Sequence, residues 1–360
     1  MWWPTWRPGW WPAAADPRIG PAPGEGLLAL GSGVMTAAGV GPKAALLDRA
    51  RRRGLPVPAG FVIPDEGDVP DTASLRSWAT RVGAHRLAVR SAFAAEDGET
   101  SSLAGWFDSF LDVEAVAVPE AVARVLASAE RRAGSFRCDV LVMAMVEARL
   151  AGVAFSQPGT YDDLVNVVPG TADRLMSGQV PGERLELDRT GRGSSGWQGR
   201  LRRLLRAVRR EFGDQPWDVE WADDGHRCWL LQLRPITAPV LRNETLTAAN
   251  HAEILPTLPS PLMTSVIEEA GPDLFQWYRR RVPGLPADRH FLHVKAGRPM
   301  INLSLLEDMM RHLGLPTALV AGSIGGGSGR TIPASPRRML VRAPSLVRLG
   351  LAQVLSLIHI

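Results

Sequence analysis

The residues of this chain best suited to chemistry lie near position 220, where polar side chains alternate with apolar ones along two short segments. Trp217-Asp-Val-Glu-Trp-Ala222 and Cys228-Trp-Leu-Leu-Gln-Leu-Arg234 flank a polar turn, Asp223-Asp224-Gly225, and predict a β-hairpin. Strand alternation puts Asp218, Glu220 and Ala222 on one face of the first strand. It puts Cys228, Leu230, Gln232 and Arg234 together on one face of the second. A three-residue turn brings both sets to the same side; a two-residue turn does not. The expected result is one polar patch, with Val219, Trp221, Trp229, Leu231 and Leu233 behind it in the core. Glu220 supplies a carboxylate and Gln232 an amide oxygen, the hard donors that magnesium accepts. Arg234 supplies a planar fork suited to a bidentate phosphate contact. The alternative for these residues is an ordinary exposed hairpin face.

Two more cations stand where predicted elements begin or end. Residues 42–53 read as a helix with Leu46, Leu47 and Ala50 on one side, arginines at its end and Gly54 as its stop. Lys43 falls in the first turn. Arg86 to Arg90 reads as a strand that runs into a loop of small and polar residues, Ser91 to Ser102. Further strands are expected at Val57–Ile63 (a loop entering a short strand), Val140–Val146 and Ala151–Phe155. Residues 119–133 predict a helix facing a core through Val122, Val125 and Leu126. The most regular helical pattern spans 199–212: Leu201, Leu204, Leu205 and Val208 share a face, and six arginines cover most of the rest. With no aromatic stacking surface nearby, those arginines read as the solvated side of a packed helix rather than a nucleic-acid contact. After Pro235 and Pro239 the pattern becomes mainly helical over 243–280, broken by the turn Pro256–Pro261. The predicted class is α+β.

Composition bounds the rest. The 360 residues allow two or three domains, and 45% hydrophobic residues can fill a core. Lys and Arg number 41 against 37 Asp and Glu, so a net charge of +4 demands no nucleic-acid partner. Cys138 and Cys228 are the only cysteines, which argues for a reducing, cytoplasmic setting without a disulfide scaffold. His251 and His293 lack the neighbours a zinc site needs. No stretch is long and apolar enough to predict a membrane span. Residues 1–25, with five tryptophans and several prolines, read as a disordered leader or a mis-called start. Residues 351–360 read as a non-native end after a truncation or frame shift, and Gly322–Gly329 as a flexible loop.

Four blocks of the chain then resemble one family, in its order. They are Gly41-Pro-Lys43-Ala-Ala-Leu46 with Gly54-Leu-Pro-Val-Pro-Ala-Gly-Phe-Val62; Ala88-Val-Arg90-Ser91 with Ala95-Glu-Asp97 and Ser102-Leu-Ala-Gly105; Met145-Val146 with Ala151-Gly-Val-Ala-Phe155; and Asp218-Val-Glu220-Trp221 with Leu231-Gln232-Leu-Arg234-Pro235. Together they resemble the N-terminal, ATP-grasp-like ATP-binding domain of the phosphoenolpyruvate synthase and pyruvate phosphate dikinase family, and also rifampicin phosphotransferase. The resemblance implies an ATP-grasp-like domain over residues 26–237, followed by a partial, mainly helical substrate or linker domain over 240–350. It implies ATP and Mg2+ as cofactors. Lys43, Arg90 and Arg234 would be the catalytic, phosphate-holding cations, and Glu220 and Gln232 the metal ligands. Ser91, Glu96, Asp97, Met145 and Asp173 would complete the nucleotide contacts.

The resemblance also sets limits. Pro42 and Ala44 replace two glycines of the family's glycine-lysine block, and Pro42 removes a backbone N–H. Gly170-Thr-Ala-Asp173 stands where the family has GLGE, Met143 replaces an amide side chain, and the family's tyrosine-arginine helix has at best Arg131 and Arg132. These departures put nucleotide turnover in question and keep open a degenerate, non-catalytic nucleotide-binding module. Family members pass the ATP β-phosphate to a histidine on a mobile carrier, in a Ser-His pair, and then to a small molecule. None of the seven histidines here follows a serine. The expected partner is therefore a phosphohistidine carrier absent from this chain, with pyruvate or an antibiotic-like hydroxyl as acceptor and neither nucleic acid nor membrane. The chain alone is expected to be an inactive fragment.

Overall fold

The computed structural model describes residues 22–65, 67–93, 109–130, 137–158, 160–176, 179–189, 196–236, 244–249, 257–282, 290–320 and 332–358. The chain divides into two compact units, one of Met1–Pro158 with Asp162–Val240 and one of Gly159–Tyr161 with Leu241–Ile360. Helices and antiparallel sheets make an α+β fold, as the sequence predicts. Among the described residues no helix is long and apolar enough to cross a membrane.

The first unit holds two five-stranded sheets. One contains β1 (Leu28–Ala29), β2 (Gly60–Ile63), β3 (Leu87–Ser91), β4 (Ser109–Val113) and β5 (Val140–Ala144), in the order β1-β2-β5-β3-β4. Strand alternation gives this sheet two apolar faces. Phe61, Ile63, Val89, Val140 and Val142 pack against helices α2 (Thr72–Val82) and α3 (Val118–Glu130), with Phe61 edge-on to Trp78 at 5.0 Å. Val62, Leu141 and Met143 share the other core with α1 (Pro42–Arg52), through Ala44, Leu47 and Ala50. Local chemistry sets the helix ends. Asp71 caps α2 by accepting from the Ala73 and Ser74 N–H groups, and Gly83 ends it at φ 68°. Pro42 opens α1 at a position where no intrahelical N–H bond is lost, and Arg49, Arg51 and Arg52 close it at the negative end of its dipole.

The second sheet runs β10-β9-β6-β7-β8, from β6 (Leu150–Ser156), β7 (Asp162–Pro169), β8 (Glu183–Asp188), β9 (Trp217–Asp223) and β10 (Cys228–Pro235). Helix α4 (Asp173–Met176) is a single turn between β7 and β8. Helix α5 (Trp197–Phe212) covers one face of the sheet with Leu201, Leu204, Leu205 and Val208, and Trp197 stacks on Trp221 at 5.5 Å. Its arginines do more than solvate it. Arg200 makes two 2.7 Å bonds to the buried Asp223, and Arg209 joins Arg189 on the buried Asp163. Arg203, Arg206 and Arg210 are exposed, as expected of a solvated face.

The hairpin corrects its predicted face assignment. Asp223 belongs to β9, so Cys228 pairs with Asp223, Trp229 with Ala222 and Leu230 with Trp221. That register puts Cys228 and Leu230 in the core beside Trp221, and Trp229 on the opposite, half-buried side. A β-bulge between Leu230 and Gln232 then makes Leu231 the extra residue, and beyond it Gln232 pairs with Glu220 and Arg234 with Asp218. Expecting Cys228 and Leu230 on the polar face, and Trp229 and Leu231 in the core, is therefore wrong. Gln232 and Arg234 do reach the polar face, but only because the bulge moves them there.

The second unit has its own core of Val282, Ile301, Leu303, Leu305, Leu306, Met309, Leu313 and Val320. Ser260 caps the long helix α6 (Pro261–Arg281), which meets the helical expectation for that stretch; residues 250–256 lie outside the described residues. The unit also contains a three-stranded sheet, β11-β13-β12, from β11 (Leu246–Thr247), β12 (Leu292–Lys295) and β13 (Arg298–Asn302). Hydrophobic periodicity gives no sign of this sheet, because its strands are two to five residues long. The unit also contains helices α7 (Leu303–Leu313), α8 (Pro336–Val341) and α9 (Ala343–Ile358). The Gly322–Gly329 loop lies outside the described residues.

Candidate nucleotide site

Four elements of the first unit bring the predicted cations to one carboxylate. Arg90 pairs with Leu141 in its sheet, so its side chain leaves on the α1 side. It donates through Nη2 to Glu220 Oε2 at 2.7 Å and through Nη1 to the Leu231 carbonyl at 3.5 Å. Leu231 is the bulge residue. The same irregularity that realigns Gln232 therefore also offers a carbonyl to Arg90. Arg234 reaches Asp218 at 3.4 Å on the polar face of the hairpin.

Glu220 records the convergence electrostatically. Only 8% of the residue is exposed, and burial pushes its carboxyl up. The charge and hydrogen bond of Arg90, followed by the charges of Lys43 and Arg234, outweigh burial and hold it below the usual carboxylate range. Lys43, Arg90 and Arg234 thus all act on one buried acid. Arg234 also pairs with Asp218 on the same face. Gln232, 5% exposed, stands opposite Glu220 in the ladder and adds an amide oxygen. Among the described residues no three His, Cys, Asp or Glu side chains gather as a metal cage. A single carboxylate with one amide suits magnesium, which keeps waters and takes its other oxygens from phosphates.

The remaining predicted residues divide differently. Ser91 is buried and pairs with Val140, so it lies on the opposite face of the first sheet from Arg90. Met145 is half-buried just beyond β5, its N–H donating to the Arg86 carbonyl at 2.9 Å. Asp173 is exposed at the start of α4, where its carboxylate accepts from the Thr171 hydroxyl. Glu96 and Asp97, like Arg131 and Arg132, lie outside the described residues. Sequence reasoning misses Asp218 as the partner of Arg234, although it counts Asp218 in the polar patch. It also misses the Leu231 carbonyl, because a bulge leaves no mark in residue type.

Part of the first unit matches a known family. Residues 72–195 match the family model described as the pyruvate phosphate dikinase AMP/ATP-binding domain. This bears out the resemblance read from the blocks of that segment. Arg90 lies inside the match, while Lys43, Glu220, Gln232 and Arg234 lie outside it; Glu220 is bonded to Arg90, Gln232 and Arg234 share its hairpin face, and Lys43 acts on it through charge. The prodigiosin synthesizing transferase PigC of Serratia marcescens is 29% identical, over 55% of this chain and 29% of that protein. The chain thus spans under a third of that relative's length. Solved structures are only distantly similar. PH1788 from Pyrococcus horikoshii Ot3 has 11% identity and a TM-score of 0.38, covering 57% of this chain and 95% of that one. The RimK domain protein ATP-grasp from Sphaerobacter thermophilus has 13% identity and a TM-score of 0.32, covering 54% and 58%. Superpositions this loose carry no weight beside the sequence match.

Proposed function

We propose that residues 26–237 bind MgATP through Lys43, Arg90, Glu220, Gln232 and Arg234. In this reading they form the nucleotide-binding part of a phosphotransferase that moves the ATP β-phosphate to a carrier histidine and then to a small-molecule acceptor. The observation that carries the reading is the meeting of three cations at a buried carboxylate paired with an amide. Magnesium bound there would neutralise phosphate charge. Glu220 and Gln232 present the oxygens that would hold it. Arg90 then exchanges its carboxylate partner for phosphate oxygens, which its fork fits equally well. Lys43 adds a compact point charge at the mouth of α1, and Arg234 a second fork.

The acceptor histidine is assigned to a carrier other than this chain, because a transferring phosphoryl group needs an in-line nucleophile held at attacking distance. Pyruvate or an antibiotic-like hydroxyl is the proposed final acceptor. The name of PigC, a prodigiosin synthesizing transferase, supports transfer chemistry. A second reading, a nucleotide-sensing module without turnover, is favoured by Pro42, which leaves the first turn of α1 one N–H short of phosphate contacts. Calorimetric titration tests the shared premise: saturable heat with MgATP is expected, and no heat or competition up to millimolar nucleotide would sink both readings. ATP labelled at the β-phosphate separates them. Label on an added carrier histidine supports the transferase, and none on any related carrier supports the sensor.

A further inference from the structure

Asp139 is wholly buried at the mouth of β5 and gathers donors from several directions. Its carboxylate accepts the Gly41 N–H at 3.2 Å, the Asp65 N–H at 3.2 Å, and Arg137 Nε at 2.8 and 2.9 Å. Its own carbonyl accepts the Ala92 N–H at 2.9 Å. Gly41 is the N-cap of α1, two residues before Lys43, and Ala92 follows β3, two residues after Arg90. The two segments also press together: a Cβ on Gly41 would lie 2.1 Å from the Ala92 carbonyl oxygen. One buried residue thus joins the entry of the helix bearing Lys43, through its carboxylate, to the exit of the strand bearing Arg90, through its backbone carbonyl.

The first turn of α1 explains the need. Gly41 has no side chain to cap the helix, Pro42 has no N–H, and the leading N–H groups of a helix lack partners within it. Asp139 supplies a carboxylate from 98 positions away in sequence, and its charge favours the positive end of the helix dipole. Arg137, one third exposed, balances that charge so the acid can stay buried. We propose that Asp139 is a positioning residue that holds Lys43 in register with Arg90 and Glu220 in the nucleotide site. This rests on the nucleotide reading above; Asp139 itself touches no nucleotide.

The chain offers a direct probe, since Lys43 and Lys295 are its only lysines. Asp139→Asn in the whole chain, made alone and with Lys43→Ala, gives a double-mutant cycle in MgATP affinity. Positioning through Lys43 predicts that Asp139→Asn raises Kd about tenfold in the parent, the scale of one charge-assisted contact. In the Lys43→Ala background it should leave Kd unchanged. Reductive 13C-methylation read by NMR without nucleotide should show the Lys43 methyl signal shifting on Asp139→Asn while Lys295 stays put. Equal weakening in both backgrounds, or an unmoved Lys43 signal, overturns the proposal. If the parent binds no MgATP, the nucleotide reading falls, and the NMR signal still decides whether Asp139 places Lys43. Should Asp139→Asn fail to fold, Arg137→Gln at the more exposed partner is expected to move the Lys43 signal alone, and an unmoved signal there counts equally against the proposal.

Discussion

Replacing Arg90 with Ala should reverse the sign of Glu220's contribution to acid stability. Both side chains are largely buried, 20% exposed for Arg90 and 11% for Glu220, and they meet at 2.7 Å. Removing one partner of a buried ion pair costs about 3–5 kcal/mol. Lys43 and Arg234 still act on Glu220, so the loss should fall near about 2–3 kcal/mol at neutral pH. In the parent the folded-state pKa of Glu220 is lowered, so its stabilisation is complete above the unfolded value, near 4.5, and fades as pH falls through the folded value. Without Arg90 the largest opposing influence disappears and burial pushes the carboxyl up. The variant is then penalised as pH rises past the unfolded value, and the gap between the two proteins should narrow steadily on acidification. Urea unfolding at a series of pH values from neutral to mildly acidic measures that gap directly. A second change, Glu220→Gln, should return much of the lost stability by removing the uncompensated charge. A gap that stays constant with pH, or a double variant no more stable than Arg90→Ala, would refute the account of Glu220.

Deleting Leu231, the extra residue, should straighten the bulge while leaving Gln232 opposite Glu220 and Arg234 opposite Asp218, so circular dichroism should show an intact fold and calorimetry a MgATP affinity changed only by the lost carbonyl partner of Arg90; abolished binding with an intact fold would contradict this account of the register. Gly41→Ala should destabilise the first unit by about 3 kcal/mol or more, the upper end of overpacking costs, because the clashing atom is the Ala92 backbone carbonyl and cannot rotate away; a melting temperature within a degree or two of the parent would contradict this. Arg234→Ala should lower label transfer to an added carrier far more than it lowers the melting temperature, since Arg234 lies half-buried near the end of its strand. In the same assay the isolated chain should take up no acid-labile, alkali-stable β-phosphate label.

Residues whose environment is set within a few positions were legible in the sequence. The leucine face of α5, Lys43 in the first turn of α1 and Arg90 at the end of β3 all follow from local periodicity and stop signals, and the structure has each in that place. The small sheet of the second unit was not legible, because strands this short carry too few side chains for alternation to register. Nor were the ion pairs Arg200–Asp223 and Arg209–Asp163, since a long polar side chain on the flank of an amphipathic helix looks solvated until its partner strand is known.

The hairpin shows why even a correct site can be reached by a wrong route. Strict period-two counting from Cys228 puts Cys228, Leu230, Gln232 and Arg234 on one face, and three apolar residues on the other. The structure cannot accept that set, because Cys228 and Leu230 are pinned in the core opposite Asp223 and Trp221 while Gln232 must face Glu220. Only one extra residue satisfies both demands, and Leu231 is that residue. Its insertion costs a ladder position, and the carbonyl it displaces accepts from Arg90 at 3.5 Å. The irregularity in the backbone is thus tied to the same guanidinium that neutralises Glu220 at 2.7 Å. Bulges occur where a side chain must be re-aimed, and this one re-aims the only amide on the hairpin toward its buried carboxylate. A sheet built for packing alone would have no use for it.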